Sequence, residues 1–130
     1  MGALDGEIRN LAQAANFAAF TVRLGSGDAM THVIWVDADD DHVLINTEVH
    51  RAKFKAVERD PRVTVTIWAA DDPYTYGEVR GRVVEMIRGP VARAHIDALS
   101  QKYRSRDFDP ANITSERVIL KIAPDVQHSH

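Results

Sequence analysis

The sequence predicts a mainly β protein of the α+β class, a six-stranded antiparallel barrel with peripheral helices. Three observations favour this architecture. Six runs along the chain are rich in β-branched and aromatic residues or alternate apolar with polar residues, as strands do. Three other segments repeat apolar residues at helical spacing. The connections between the first strands are short, and long antiparallel runs of this kind close on themselves as small barrels.

The N-terminal part of the chain predicts one helix followed by three strands. The helix occupies residues 5–14, with Asp5 as its N-terminal cap. Three strands follow, separated by a glycine-containing turn and an acidic turn: 16–24, turn 25–28, 30–36, turn 37–41 and 42–47. Because both turns are short, we expect these strands to pair with one another as an antiparallel meander.

A proline marks the end of the second helix. Asp60 precedes Pro61 and is therefore excluded from the helical region, which ends a helix predicted over residues 49–59. The next strand, over 62–70, alternates between apolar and polar residues and should bury one face.

The C-terminal part predicts a long strand, a third helix and a last strand. Gly77 and Gly81 lie inside the strand predicted over 74–87, and glycines there indicate a bulge, a bend or a close backbone approach. The remaining segments are a loop at 71–73, a helix over 90–104 that begins at Pro90, a loop at 105–114 and a strand over 116–124.

The composition limits the class of protein. A chain of 130 residues suits one domain over 1–130, and 45% apolar residues suffice for its core. A net charge of −3 is unusual for a general nucleic-acid binder. The lack of cysteine excludes disulfides, thiolate zinc sites and cysteine nucleophiles. Charged residues interrupt the N-terminus, so it does not read as a signal peptide, and we expect a cytoplasmic protein.

A basic cluster follows the third strand. Arg51, Lys53 and Lys55 fall within five residues, after a strand that ends at Asn46 and Thr47. Thr47 is a plausible helix cap, and no Glu or Gln stands where a capping box would place one. Free backbone N–H groups flanked by basic side chains suit a phosphate. The alternative is a solvated helix face with glutamates as counter-charges.

The histidines and aromatic residues offer weaker signals. The histidine spacing matches no zinc-protease motif, and His95 falls on an apolar helix stripe as a core histidine would. His128 and His130 belong to a tail that we expect to be frayed. Aromatic residues on the polar side of the 62–76 region could stack on a flat ring or simply pack at an interface.

The segment from Val33 to Glu85 resembles a known family, the split β-barrel flavin and deazaflavin oxidoreductases, which are pyridoxamine-5'-phosphate-oxidase-like proteins. The motifs that carry the resemblance are a strand ending in "NT", then "RAK", "ERDPRV", "YTYGEVRGRV" and the late "RVILKI". The similarity extends over residues 8–123 and is greatest to the subgroup that uses coenzyme F420, a deazaflavin. It implies an FMN-binding split-barrel fold.

The resemblance also implies cofactor contacts at particular positions. The strand-end Thr47, with Arg51 and Lys53 of the R-x-K motif, would bind the cofactor phosphate, and Asn46 is a further candidate for cofactor binding. The flat ring would lie along the second strand, against Met30, Thr31, His32 and Val33.

Other implied contacts involve a second subunit. The family forms homodimers with cofactor sites at the interface, and Tyr74 and Tyr76 match positions that close the cleft from the neighbouring subunit. Trp68 would lie beside the substrate, and His32 is a candidate proton donor. Arg80, with Lys102, Arg104 and Arg106, could form an electropositive path for the polyglutamate tail of F420.

These implications favour an F420-dependent oxidoreductase that transfers hydride to a conjugated small molecule. Tetrapyrroles such as biliverdin are one substrate type that the family suggests. The chain lacks the C-terminal Arg/Trp segment of true pyridoxamine-phosphate oxidases, so vitamin B6 oxidation is not expected. The alternatives are an FMN-binding flavoprotein of the same fold and a non-catalytic protein that binds a cofactor or haem.

Overall fold

A single antiparallel sheet organises the chain, and the computed structural model describes residues 3–130. The strands are β1 (Phe17–Arg23), β2 (Ala29–Trp35), β3 (Asp37–Ala38), β4 (Val43–Glu48), β5 (Arg62–Ala69), β6 (Asp72–Arg88) and β7 (Arg117–Ser129). The helices are α1 (Gly6–Gln13), α2 (Ala52–Arg59) and α3 (Pro90–Arg104), with a short 3-10 helix at Pro110–Asn112.

The sheet curls into a half-barrel because the chain joins its two edges. The strand order is β2-β1-β5-β6-β7-β4-β3, so β2 and β3 lie at opposite edges. Only Val36 separates these two strands in the sequence, and it is fully buried. The predicted mainly β split barrel with peripheral helices is therefore confirmed, with seven strands rather than six because the two-residue β3 is a separate strand.

The alternating strands provide the core. On β1 the inward side chains include Phe20 and Val22, and on β5 they include Val65 and Ile67. These two strands pair directly, with Phe20 opposite Val65. Apolar residues of α1 and α2 join the same core, so both helices close the barrel interior.

The predicted meander is wrong in its third strand. β1 and β2 pair as expected, but β4 pairs with β7 on one side and with β3 on the other. The short link after β2 turns a corner at Val36 instead of forming a hairpin. A physical reason lies in β4 itself, where five of six residues are buried and both faces therefore need cover.

The C-terminal strand is longer than predicted and orders the tail. β7 continues to Ser129, and His128 pairs opposite Glu78 of β6. The backbone N–H of His130 donates to the carbonyl of Tyr76 at 2.9 Å. The expectation of a frayed tail is therefore wrong, because the 17-residue β6 offers backbone partners along this whole segment.

Two predicted caps also need correction. Thr47 is buried inside β4 and does not cap α2, which begins at Ala52 after the N-cap residue Arg51. Asp5 does precede α1, but its side chain makes no capping hydrogen bond. The predicted ends at Asp60 and the start at Pro90 are confirmed.

Within residues 3–130, no helix has both the length and the apolar character needed to cross a bilayer.

The glycines of β6 mark close approaches, as the sequence indicates. A Cβ atom on Gly81 would lie 2.0 Å from the carbonyl oxygen of Ala123 on β7, and one on Gly77 would lie 2.7 Å from the Ile8 side chain. The pairing register with β7 shifts between Arg80 and Gly81. This shift is the irregularity that a strand glycine predicts.

We expect Gly81→Ala to lower the free energy of unfolding by about 1–3 kcal/mol, because the added methyl group meets a backbone atom that can move little. Urea denaturation followed by circular dichroism measures this. Gly6→Ala is the matched control: its Cβ would have nothing nearer than 3.6 Å and lies in α1, where alanine is favourable. A Gly81→Ala protein as stable as the unsubstituted protein would contradict the close approach.

Candidate functional site

A cleft of about 380 Å³ opens between β2, β4, the start of α2, and α3 with the loop that follows it. Its lining combines an aromatic and aliphatic wall with several basic side chains. The lining residues are Val33, Ile34, Trp35, Asn46, Thr47, Arg51, Lys53, Ile96, Leu99, Arg104, Phe108, Asn112 and Arg117.

Five of the predicted cofactor-binding residues come together in this cleft. They are Val33, Asn46, Thr47, Arg51 and Lys53. Thr47 reaches it from the end of β4, and the two basic residues from the start of α2. Lys55, the third member of the basic cluster, is exposed and does not line the cleft.

Three of the predicted ring-contacting residues on β2 lie elsewhere. Met30 packs toward the barrel core, and the hydroxyls of Thr31 and Thr21 lie 2.7 Å apart on the outer face. His32 is opposite the inward-facing Phe20 and so lies on the other side of β2 from Val33. Its suggested role as proton donor stays a prediction that this cleft does not support.

The predicted residues of β5 and β6 also lie outside the cleft of their own chain. Tyr74 is 81% exposed. Trp68 pairs opposite Tyr76, whose ring lies 5.4 Å from that of His130. Arg80 lies 3.5 Å from Glu78 and lines a different surface depression. Their proposed contacts from a second subunit stay predictions.

The start of α2 is electrostatically suited to an anion. The N-cap residue Arg51 makes no side-chain cap, and the first turn contains no acidic residue. The N–H groups of Phe54 and Lys55 both donate to the carbonyl of Arg51, at 3.1 and 3.2 Å. The N–H groups of Ala52 and Lys53 precede any intrahelical acceptor and are free for a ligand.

Cations crowd this end of the cleft. Burial lowers the pKa of Lys53, and the nearby charges of Arg51 and Arg117 lower it further. Arg104 adds a fourth basic side chain on the opposite wall. Repulsion among like charges of this kind is relieved when an anion binds between them.

A buried carboxylate below the cleft was not recognised as such from the sequence. Glu48, treated there as a counter-charge on a solvated helix, is 1% exposed at the end of β4. Its Oε1 accepts hydrogen bonds from the N–H groups of Thr114 and Ser115, at 2.8 and 2.7 Å. Burial raises the pKa of Glu48, but these two N–H groups and the charge of Arg117 outweigh it, and the net shift is downward.

Arg117, at the start of β7, is the residue that the sequence analysis missed most clearly. It is 9% exposed and pairs with Glu48 across the β4–β7 ladder. Its Nη1 lies 3.3 Å from Glu48 Oε2, and its Nε donates to Asn46 Oδ1 at 2.9 Å. An arginine at the start of an apolar strand gives no local signal of burial, because its acidic partner lies 69 residues away in the sequence.

A hydrogen-bonded chain runs from Arg117 to the edge of the sheet. Arg117 can only donate, so Asn46 turns its Oδ1 toward Arg117 and its Nδ2 toward His95 Nδ1, 3.0 Å away. The imidazole then donates from Nε2 to Asp37 Oδ2 at 2.9 Å. His95 is therefore a hydrogen-bonded histidine behind the cleft, which agrees in part with the predicted core histidine.

The aromatic wall of the cleft is formed by Trp35, not by the predicted Trp68. The Trp35 ring stacks on Tyr103 at 5.0 Å and meets Phe108 edge-on at 6.2 Å. The guanidinium of Arg104 lies 5.2 Å above the same ring. The sequence placed Trp35 in a strand but gave no reason to prefer it, since the stacking partners come from α3 and its following loop.

Of the predicted path for an acidic tail, one residue lines this cleft and a second lines an adjoining depression. Lys102 is half-buried, and its ammonium donates to the carbonyls of Ala12 at 2.9 Å and Val36 at 2.5 Å. Burial lowers its pKa, and Lys102 does not line the cleft, so its part in such a path stays a prediction that this cleft does not support. Arg104 lines the cleft, and Arg106 lines an adjoining depression of about 330 Å³.

Fold and cleft together define a split-barrel protein with a cation-lined cleft at the gap between β2 and β4. Within residues 3–130, no three His, Asp or Glu side chains gather closely enough to hold a metal ion.

Comparisons with known proteins agree with the fold. No protein-family profile matches the sequence, and no curated protein sequence matches it. A solved structure named F420 Reductase superposes with a TM-score of 0.82 at 20% identity, covering 96% of this chain and 98% of that one. Rv2991, a conserved hypothetical protein from Mycobacterium tuberculosis, gives 0.74 at 19% identity, with 97% and 83% covered.

A pyridoxamine 5'-phosphate oxidase-like protein from Listeria innocua superposes with a TM-score of 0.65 at 18% identity, covering 92% of this chain and 90% of that one. These similarities confirm, at the level of the fold, the resemblance that the sequence motifs carry.

We expect Glu48→Gln to lower the free energy of unfolding at pH 7 by about 3–5 kcal/mol, because it leaves the buried Arg117 without its partner. The pKa of Glu48 is lower in the folded state than its ordinary 4.5. Its stabilisation is therefore complete above that pH and is lost as the pH falls through the folded pKa.

Denaturant titrations between pH 7 and pH 3 measure the free energy of unfolding of the unsubstituted protein and of Glu48→Gln. The difference between these two free energies should become smaller as the pH falls. Glu58→Gln, an exposed change on α2, serves as the control and should have little effect. The double variant Glu48→Gln/Arg117→Met should regain much of the lost stability, because no unpaired charge remains buried. A Glu48→Gln protein of unchanged stability at pH 7 would show that the pair is not buried in solution.

Proposed function

We propose that this protein is an oxidoreductase that binds a flavin-type cofactor, with the deazaflavin F420 as the preferred one. The observation that carries the proposal is the gathering of Thr47, Arg51 and Lys53 in one cleft at an uncapped helix start. These are the residues that the family resemblance assigns to the cofactor phosphate. Free N–H groups, a hydroxyl and two cations match phosphate chemistry.

The name of the structural neighbour F420 Reductase supports the choice of the deazaflavin. A second argument is the adjoining depression at Arg106, which continues the cleft beyond Arg104. A polyglutamate tail is an anion that such residues can attract. FMN is the alternative cofactor, favoured by the pyridoxamine 5'-phosphate oxidase-like neighbours, and it needs only the phosphate end of the cleft.

The side chains of the cleft suggest a division of roles. A bound deazaflavin or flavin supplies the hydride chemistry itself, so the protein has to bind, orient and exclude water. Arg51 and Lys53 fix the phosphate end. Trp35, Ile96 and Leu99 contribute an apolar wall to the same cleft. A conjugated acceptor, for which tetrapyrroles are one class to assay, would bind against the open side near Val33.

We expect Arg51→Ala/Lys53→Ala to weaken cofactor binding by several kcal/mol, since each hydrogen bond to a charged group contributes about 1.5–3 kcal/mol. Fluorescence titration with F420 and with FMN measures the two dissociation constants. Lys55→Ala is the matched control, because this lysine belongs to the same cluster and does not line the cleft. Unchanged affinity of the double variant for both cofactors would refute the phosphate site.

A hydride-transfer assay then separates an enzyme from a binding protein. The reduced cofactor is mixed with conjugated acceptors, and its reoxidation is followed by absorbance. Turnover that is lost in the double variant supports the oxidoreductase. Tight binding without turnover of any acceptor favours a non-catalytic cofactor carrier.

We also propose that the chain forms a homodimer through the outer face of β1, β2 and β5. Val33 is 68% exposed there, and Ala19 pairs opposite both Val33 and Thr66. The face is uncharged at its centre and adjoins the cleft at Val33. A second copy on it would bring Tyr74 and Tyr76 toward the neighbouring cleft, as the resemblance implies.

We expect Ala19→Arg to convert a dimer into a monomer, because a long charged side chain at the centre of the paired face would be buried without a partner. Analytical ultracentrifugation gives the mass. Val91→Arg is the control, since Val91 is an exposed apolar residue on α3, an element that is not part of this face. A monomeric unsubstituted protein would refute the homodimer, and a dimeric Ala19→Arg protein would place the interface elsewhere.

A further inference from the structure

We propose that Arg117 is a third anion-binding residue of the cleft, with Asn46 as its positioning residue. This inference rests on the proposed function, because it concerns the same cleft. Arg117 is assigned no role by the sequence motifs. Its place in the lining of the cleft, as a nearly buried side chain close to Lys53, follows from the structure alone.

The bonding of the guanidinium leaves part of it available. Nε donates to Asn46 Oδ1, and Nη1 lies 3.3 Å from Glu48 Oε2. Within the described residues, Nη2 has no hydrogen-bond partner. Arg117 nevertheless lines the cleft, and its face is supported by the Phe108 ring 5.4 Å away. A fixed planar fork with a free donor is what bidentate recognition of phosphate or carboxylate uses.

Glu48, the carboxylate opposite Arg117, does not use the full hydrogen-bonding capacity of the guanidinium. Both good hydrogen bonds of Glu48 go to Oε1, from the N–H groups of Thr114 and Ser115. Its Oε2 is buried and accepts no hydrogen bond of good geometry. Glu48 therefore holds Arg117 by charge and leaves the Nη donors of the guanidinium without a hydrogen bond. Such incomplete pairing of a buried cation, among three other cations, indicates a place for an anionic ligand.

Asn46 is better explained as a support than as a ligand contact. Its Nδ2 donates to the Ala92 carbonyl at 3.1 Å and faces His95 Nδ1, and its Oδ1 accepts from Arg117. Both amide hydrogens are therefore engaged. The amide orients the Arg117 fork, and His95 with Asp37 orients the amide.

The test compares ligands that differ only in the phosphate. The affinity ratio of FMN to riboflavin, and of F420 to its deazaflavin chromophore without phosphate, isolates the anion contact. We expect Arg117→Met/Glu48→Gln to lower both ratios about tenfold or more, with Arg117→Lys intermediate. The double variant is used because it removes both buried charges and so should fold. Arg82→Met is the control, since Arg82 pairs with Asp125 outside the cleft.

A structural role gives a different result. If Arg117 only stabilises the fold, the phosphate-bearing and phosphate-free ligands weaken equally, the ratios stay unchanged, and the proposal is overturned. Introduced into the unsubstituted protein, Asn46→Ala should lower both affinity ratios. Introduced into Arg117→Met/Glu48→Gln, it should have no further effect on them. A persisting effect in that background would show that Asn46 binds the ligand itself and would overturn its positioning role.

A failure of the proposed function can be distinguished from a failure of the Arg117 proposal. If the unsubstituted protein binds neither flavins nor deazaflavins, that function fails, and inorganic phosphate becomes the probe, followed by phosphorus NMR. Phosphate binding that is lost in Arg117→Met/Glu48→Gln and kept in Arg82→Met still supports Arg117. No phosphate binding, or binding equal in both variants, overturns the proposal.

Discussion

The buried pair of Glu48 and Arg117 is the interaction on which the cleft depends. The two residues lie opposite each other where β4 meets β7, and both are removed from water. Taking two charges into the interior costs free energy that their mutual attraction alone rarely offsets. Here the difference is made up by the two N–H groups of the 114–115 turn and by the amide of Asn46. This ion pair therefore fixes the end of β4, the 114–115 turn and part of the cleft lining.

The cleft exists because β4 does not pair with β2 in the sheet. If β4 had paired with β2, backbone hydrogen bonds would fill the gap in which Trp35, Asn46 and Thr47 meet. The chain instead turns at Val36. Tyr103 OH accepts from the Val36 N–H at 3.1 Å and donates to the Asn16 carbonyl, and Lys102 bonds the Val36 carbonyl. Burial raises the pKa of Tyr103 to about 12, so this hydroxyl keeps its proton. α3 therefore holds the corner open.

Local sequence patterns were sufficient to predict most of the helices and strands. The incorrect or missing predictions concern features that depend on long-range contacts. Alternation in β5, the break at Asp60 and the glycines of β6 are local signals, and the structure follows them. The partner of β4, the burial of Glu48 and the importance of Arg117 depend on residues far apart in the sequence. No window of neighbouring residues contains that information. The residues proposed to bind the cofactor phosphate lay between these cases, because a recognisable motif placed them together before the topology was known.

The electrostatics of the cleft distinguish it from an ordinary polar surface. The chain carries a net charge of −3, yet four cations face one cleft whose nearest carboxylate is already engaged below it. A solvated basic face disperses its charges, whereas here burial and two neighbouring cations lower the pKa of Lys53. Holding like charges together in this way opposes folding, and natural proteins retain such conflicts mainly where a ligand resolves them. The conflict is greatest where Arg51, Lys53 and Arg117 converge, and an anion bound there would relieve all three at once.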